Sequence, residues 1–533
     1  MIYNPLEDYE TRLKDLHGAN TEKFFDELVQ KSGIDIAQNR ETVKQYDAHK
    51  EIVSKLKRKL NWWRFFRVLM CLTIILIPLV ILKMTPAIRK LRQEVQEGDQ
   101  KTQELLNLAY RQMQPLNDLF TRKDALHLLE TTIPQLQFED CFSVEQEMDM
   151  KINYDFTDYD GTEQSTVDVL AGRYNENPFL FESKLIHTMG METYHGYKTI
   201  RWTERYRDSN GKMQTRVRTQ TLHATVTKPK PFYSTRVILN YCAQGGPELS
   251  FSRDATHLEQ KSEREIERMV KRGEKELKRK TDKAIKRNED FQSMSNTDFE
   301  VMFDALDRTN EVQFRTLFTP LAQTNMVDLL RSQTGYGDDF NFIKTKRTNR
   351  IITQHSQGRG LNLLPRNYTS HSYDITRENF IGKNREYFKA VYFDFAPLLA
   401  IPMYQERPVH SLKPIPDKIQ QYALRECEAL ANAVDKRYVV HPNTKTQAIL
   451  KSSFVTARNH VDEACITAYS YDIEPRVDVV PVLGGDGKIH GVPVPWDYYQ
   501  PLEAENHFCV TADAYAEQNH ILARHNGLCI FQS

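Results

Sequence analysis

VLMCLTIILIPLVIL, residues Val68 to Leu82, is a run of fifteen apolar or uncharged residues in a chain that is otherwise strongly polar. At ~1.5 Å per residue it covers about 22 Å, short of a hydrocarbon core ~30 Å thick, so the flanks decide whether it spans. Met84, Ala87 and Ile88 extend the apolar length, and Arg67 and Lys83 carry aliphatic stems that reach toward headgroups. Trp62, Trp63, Phe65 and Phe66 form the aromatic belt expected at an interface. Pro78 fits a membrane helix, which tolerates a kink. The expectation is one transmembrane helix within 61–88, anchored by Trp62, Trp63, Arg67, Pro78 and Lys83; a buried core helix is the alternative. The charged, helix-patterned residues ahead of the run do not fit a cleaved signal peptide.

Both flanks are basic. Lys50, Lys55, Lys57, Arg58, Lys59, Arg64 and Arg67 precede the run; Lys83, Arg89, Lys90, Arg92 and Lys101 follow it. The excess leans toward a cytoplasmic N-terminus. The scattered Cys141, Cys242, Cys427, Cys465, Cys509 and Cys529 lean the other way, since they look like reduced thiols rather than a disulfide framework. The chain is expected to be a single-pass protein of the plasma membrane whose soluble part leans to the cytoplasm. Lys+Arg and Asp+Glu both number 72, so no global field draws the chain to nucleic acid, and any basic surface must be local.

The expected architecture is α+β: an N-terminal helical stalk with one transmembrane helix, then soluble domains built of antiparallel sheet plus helix. Residues 1–60 read as helical, with Asn20-Thr21 ahead of EKFFDELVQKSG and Gly33 just past its end. From Ile36 the stripe Val43, Tyr46, Val53, Leu56, Leu60 is an incomplete heptad broken by Lys50 and Lys57. Leu91, Val95, Leu105, Leu108, Met113 and Leu116 repeat the pattern over 89–135. These stripes predict a stalk through the membrane, either self-associating as a coiled coil or packing on its own domain.

The next unit, 136–355, opens with β signals. MKINYDFTDYDGTEQSTVDVL alternates at Ile152, Tyr154 and Phe156 and turns at Asp160-Gly161, which predicts a hairpin. Asp155, Asp158 and Asp160 do not match an EF-hand, because Phe156 and Val167 stand where oxygen ligands are needed. A longer hairpin follows, YHGYKTIRWTERYR and KMQTRVRTQTLHATVTKPK, with FYSTRVILNY as a further strand. Arg201, Arg205 and Arg207 share one face of the first strand, and Arg216 and Arg218 alternate in the second. With Lys212 they form a candidate surface for phosphates or anionic headgroups if the register aligns them; an exposed face whose charges discourage edge pairing is the alternative. Residues 257–288 are dense in charge, and acid-before-base pairs such as Glu267 with Lys271 predict a solvated helix.

Phe299–Leu306 reads as a short helix, EVQFRTLF as a strand, Thr319-Pro320 as a helix start, and FNFIKTKRTNRIIT as a hairpin turning near Thr348-Asn349. The stretch FEVMFDALDRTNEVQFRTLFTPLAQTNMVDLL, Phe299 to Leu330, resembles a segment of an uncharacterised bacterial family of membrane-anchored proteins, over about 140–355. The resemblance implies an N-terminal hydrophobic anchor and an α+β soluble domain, and it carries no activity or site residues. That family is expected to have paired membrane segments, whereas one is evident here.

Residues 356–533 read as a second α+β region, with a helix through IPDKIQQYALRECEALANAVD and strands in TQAILKSSFVTA, EACITAYSYDIE and RVDVVPVL. Gly484-Gly485-Asp486-Gly487 lacks the Lys-Ser/Thr of a P-loop and reads as a hairpin tip. HExxH, paired CxxC, GxSxG and GxxxxGK[ST] are absent from the sequence, which leaves no candidate catalytic, metal or cofactor residue. Two function classes follow. The first is a noncatalytic membrane-anchored scaffold whose partners are the lipid bilayer and a protein or second copy meeting the stalk. The second is a membrane-tethered enzyme with a site assembled from distant loops.

Overall fold

The computed structural model describes residues 2–71, 84–157, 161–207, 211–287, 294–408, 413, 419–458, 460–515 and 520–532. These form two compact units that interleave along the chain: residues 6–136 with 362–393, and residues 1–5 with 137–361 and 394–533. The expected division at 355/356 therefore falls inside one unit. Both units together make an α+β protein with two antiparallel sheets.

The smaller unit is helical. The helix Lys14–Ser32 ends on Gly33, whose φ of 63° only glycine adopts freely, as its sequence predicts. Its start lies upstream of Asn20-Thr21, because the chain is already helical from Lys14. Phe25 and Leu28 pack with Met113, Leu116, Phe120, Tyr368 and Phe380. The helices Ile36–Cys71 and Thr85–Asn117 carry the two predicted stripes and spend them on each other: Leu60 packs with Ile88, Leu91 and Val95, and a Cβ on Gly98 would press against Val53. Lys57 pairs with Asp99 at 2.7 Å, and Gln112 donates to Thr42 at 3.1 Å.

This pairing is antiparallel, low numbers of one helix meeting high numbers of the other. It corrects the straight stalk expected from sequence, because both flanks of the apolar run leave from the same end of a helical hairpin. It also occupies the apolar stripe offered for self-association. Among the described residues no helix is long and apolar enough to cross a membrane. Trp62, Trp63 and Arg67 lie on the Ile36–Cys71 helix, while Pro78, Lys83 and most of the run fall outside the described residues.

The larger unit holds the sheets. In chain order the strands are β1 (Leu136–Phe138), β2 (Gln164–Tyr174), β3 (Asn177–Arg207), β4 (Met213–Cys242), β5 (Ser250–Arg253), β6 (Phe340–Thr345), β7 (Thr348–Thr353), β8 (Ile449–Arg458), β9 (Val461–Leu483), β10 (Ile489–Ala512), β11 (Ile521–His525) and β12 (Leu528–Gln532). The first sheet runs β1-β2-β3-β4-β7-β6-β5, and the second β11-β12-β10-β9-β8. β3 and β4 are 31 and 30 residues long, roughly 100 Å at the usual rise per residue, and form one hairpin. FYSTRVILNY is the end of β4 rather than a further strand.

β9 and β10 make a second long hairpin whose tip is Gly484–Gly487, as expected. The two hairpins pack face to face through Ile200, Leu222 and Ala224 on one and Val492 and Val494 on the other. Gly196 permits the approach, since a Cβ there would collide with the Pro493 carbonyl.

Two segments read as strand are helical. Val144–Tyr154 begins on a capping box, Ser143 accepting from the Gln146 amide and Gln146 from the Ser143 amide, so Ile152 and Tyr154 belong to a helix and only Gln164–Tyr174 is strand. Glu311–Leu317 is capped by Asn310 and buries Phe314 and Leu317. Thr319 caps Pro320–Arg331 as predicted, and the last hairpin turns at Lys346-Arg347, two residues early.

The helix Leu424–Ala433 is buried on nearly every side. It is stable there because each charge has a partner. Arg425 meets Glu147 at 2.8 Å and Glu182 at 2.7 Å, Glu426 accepts from the Phe142 amide at 3.0 Å, and Glu428 accepts from the Thr166 amide. Asn432 bonds Ser165 and Thr166, which ties the same helix to β2.

Candidate functional site

The β3–β4 register decides what the arginines can do. Arg201 stands opposite Thr219, Arg205 opposite Thr215 and Arg207 opposite Met213, whereas Trp202 is opposite Arg218 and Glu204 opposite Arg216. Cross-strand partners share a face, and faces alternate along a strand. The register therefore divides the predicted surface: Arg201, Arg205 and Arg207 lie on one face, Arg216 and Arg218 on the other. Glu204 pairs with both of the second set and offsets half of their charge, with an oxygen 2.7 Å from each guanidinium. The three arginines of the first face make no ion pair among the described residues and are exposed. Lys212 lies in the connecting turn, also exposed.

The face bearing the three arginines continues inward as neutral polar residues. Thr199 bonds Thr221 and Thr193 bonds Thr227, each at 3.2 Å, with His195 2.9 Å from His223 and Tyr197 packed on the His223 ring. Acidic side chains are absent from this stretch of the face, so the cationic end is not screened by its neighbours.

Farther in, where the two hairpins meet the rest of the fold, lies a cleft of about 330 Å³ between the sheets. His187 and Tyr233 are cross-strand partners on β3 and β4. Tyr471 and Tyr469 on β9 stand opposite Pro501 and Glu503 on β10. Glu163 precedes β2, takes the His187 amide on its carbonyl at 2.8 Å, and accepts a hydrogen bond from His187 Nδ1–H on its carboxylate. This fixes the ring orientation, leaving Nε2 3.5 Å from the Tyr471 hydroxyl. Tyr233 donates to Thr446 at 3.2 Å.

The cleft thus has an imidazole with an orienting carboxylate, the first half of an acid–base apparatus. Burial raises the Tyr471 phenol above its ordinary value. Sequence reasoning could not find this group: Glu163 and His187 are 24 residues apart, and Tyr471 is 284 from His187.

A second cavity, about 380 Å³, lies between the charged helix Glu263–Arg287 and the helix Thr297–Phe303. Two of its polar groups are already engaged: Lys280 donates to the Leu306 carbonyl at 2.7 Å, and Glu300 pairs with Arg308 at 2.7 Å. The charged helix buries Ile266, Val270, Leu277 and Ala284, so it packs along one face instead of standing in solvent. Among the described residues no group of three or more His, Cys, Asp and Glu side chains could hold a metal ion. No family model matches the chain, and no curated protein or solved structure is similar to it.

Proposed function

We propose that this chain is a noncatalytic, membrane-attached interaction protein whose long β3–β4 hairpin carries a cationic end to an anionic lipid surface. The observation that carries the reading is the register, which gathers Arg201, Arg205 and Arg207 on an open face while Glu204 pairs with Arg216 and Arg218. Arginine forks suit phosphate oxygens, and each basic side chain near an anionic surface contributes ~1 kcal/mol.

The test uses the full chain in a nanodisc of zwitterionic lipid, co-sedimented with vesicles rich in phosphatidylserine. Changing Arg201, Arg205 and Arg207 together to alanine is expected to weaken vesicle binding by about 3 kcal/mol, roughly a hundredfold. Changing Arg216 and Arg218 instead should alter it little. Equal binding by both variants would remove the hairpin from the contact.

The attachment is proposed to be the Val68–Leu82 run, most of which lies outside the described residues. The antiparallel helices that flank it leave from the same end of one helical hairpin, which places both flanks on one side of the membrane. Cysteines introduced at the exposed Lys44 and Lys101 should both react with an impermeant maleimide from the same side of intact membranes. Labelling from opposite sides would restore a single-pass span.

A further inference from the structure

The cleft between the sheets has a lining whose charge and shape specify a guest. Its charged side chains are Glu163 and Glu503, with His187 between tyrosines, and neither lysine nor arginine lines it. Tyr233 and Tyr471 flank the imidazole with ring centroids at 5.3 and 5.6 Å, and Tyr469 stands directly across from Glu503. His187 Nδ1–H holds the Glu163 carboxylate in place from its buried side, while the rest of that carboxylate faces solvent.

We propose that this cleft binds a small organic cation, an amine or quaternary ammonium group held by the Glu163 and Glu503 carboxylates against the tyrosine rings. Three physical requirements meet here. Ring faces carry negative potential that attracts a cation, and the effect grows when water is excluded. Glu163 and Glu503 both border the cleft while no lysine or arginine is among its described lining residues, so an entering cation is the group that balances their charge. A volume of about 330 Å³ is at the small end for ligand sites, which suits a compact amine rather than a peptide. A sugar would also stack on tyrosine, but it would leave the paired carboxylate charge uncompensated.

Isothermal titration of the full-length protein with choline, putrescine and the uncharged choline isostere 3,3-dimethylbutan-1-ol tests this. At least one of the cations is expected to bind saturably while the isostere does not. Glu503→Gln, which keeps the side-chain shape, should weaken the cation by about tenfold or more with an unchanged melting temperature. Tyr471→Phe should retain binding, since the ring remains. Glycerophosphocholine separates the sources: binding tighter than choline assigns a lipid headgroup, weaker binding a free amine. The inference is overturned if neither cation binds, if the neutral isostere binds as well, or if Glu503→Gln binds like the parent chain.

Discussion

Replacing Arg425 with alanine lowers the stability of the larger unit by an expected 3–5 kcal/mol, roughly the cost of stripping one partner from a buried ion pair. Arg425 lies on the buried helix Leu424–Ala433, with Glu147 at 2.8 Å and Glu182 at 2.7 Å, and its guanidinium sits over the Phe156 ring at 5.2 Å. Glu182 is as buried as Arg425, so alanine leaves it with only Lys184 at 3.4 Å and the Asn240 amide at 2.7 Å. The loss is one of charge compensation as well as packing, because the arginine also covers the Phe156 ring. Urea unfolding of the full chain, followed by hydrogen exchange in peptides from 137–361, measures it. Arg425→Met, which keeps an apolar stem but not the charge, should lose less than Arg425→Ala, the difference measuring the packing share of the cost. A cost below about 1 kcal/mol for Arg425→Ala would mean the network does not hold the helix in place.

How much of this was legible in the chain varies with the physics of each element. The alternation of Ile200, Trp202 and Tyr206 with arginines marks a half-buried strand, and the hairpin is there. Which arginines meet depends on the register, which the connecting turn sets and composition does not encode. The same alternation misleads at Ile152, Tyr154 and Phe156, where three residues of period two lie at the end of a helix. The better signal was Ser143 with Gln146, a capping box just upstream. EVQFRTLF carries β-branched and aromatic residues, but Asn310 supplies a cap and the burial of Phe314, Leu317 and Phe318 settles the matter in favour of helix. The stripes at Leu60 and Leu91 were visible; that they face each other is a tertiary fact, and it changes what the apolar run between them can do. The cleft at His187 had no linear signature, because its lining comes from five strands and a loop.

His355 and His17, one buried in each unit, should contribute pH dependences of opposite sign. His355 lies between Asp339, 2.6 Å from Nδ1, and Asp394, 3.3 Å from Nε2, with Tyr336 stacked on its ring at 4.0 Å. Burial opposes its charge, but the two carboxylates outweigh burial and raise its pKa from 6.5 to about 9. A raised value means the folded state holds the proton more tightly. The contribution, on the order of 3 kcal/mol, is complete below pH 6.5 and is lost as pH rises from there through 9.

His17, in the other unit, is stacked on Phe388 at 4.1 Å and lies 3.0 Å from the Thr132 hydroxyl. Burial there prevails over its hydrogen bonds and lowers the pKa to about 4. That contribution, of similar size, is complete above pH 6.5 and is lost as pH falls from there through 4. Lys344, pushed down to about 7 by burial, loses its charging penalty as pH rises above 7, which opposes His355 in the larger unit. The informative quantity is therefore the difference between each variant and the parent at every pH. Hydrogen exchange should show His355→Gln flattening the alkaline decline in peptides from 137–361, and His17→Gln flattening the acid decline in peptides from 6–136. If either substitution shifts stability equally at all pH values, the corresponding histidine does not change protonation between folded and unfolded states, and its partners act through packing alone.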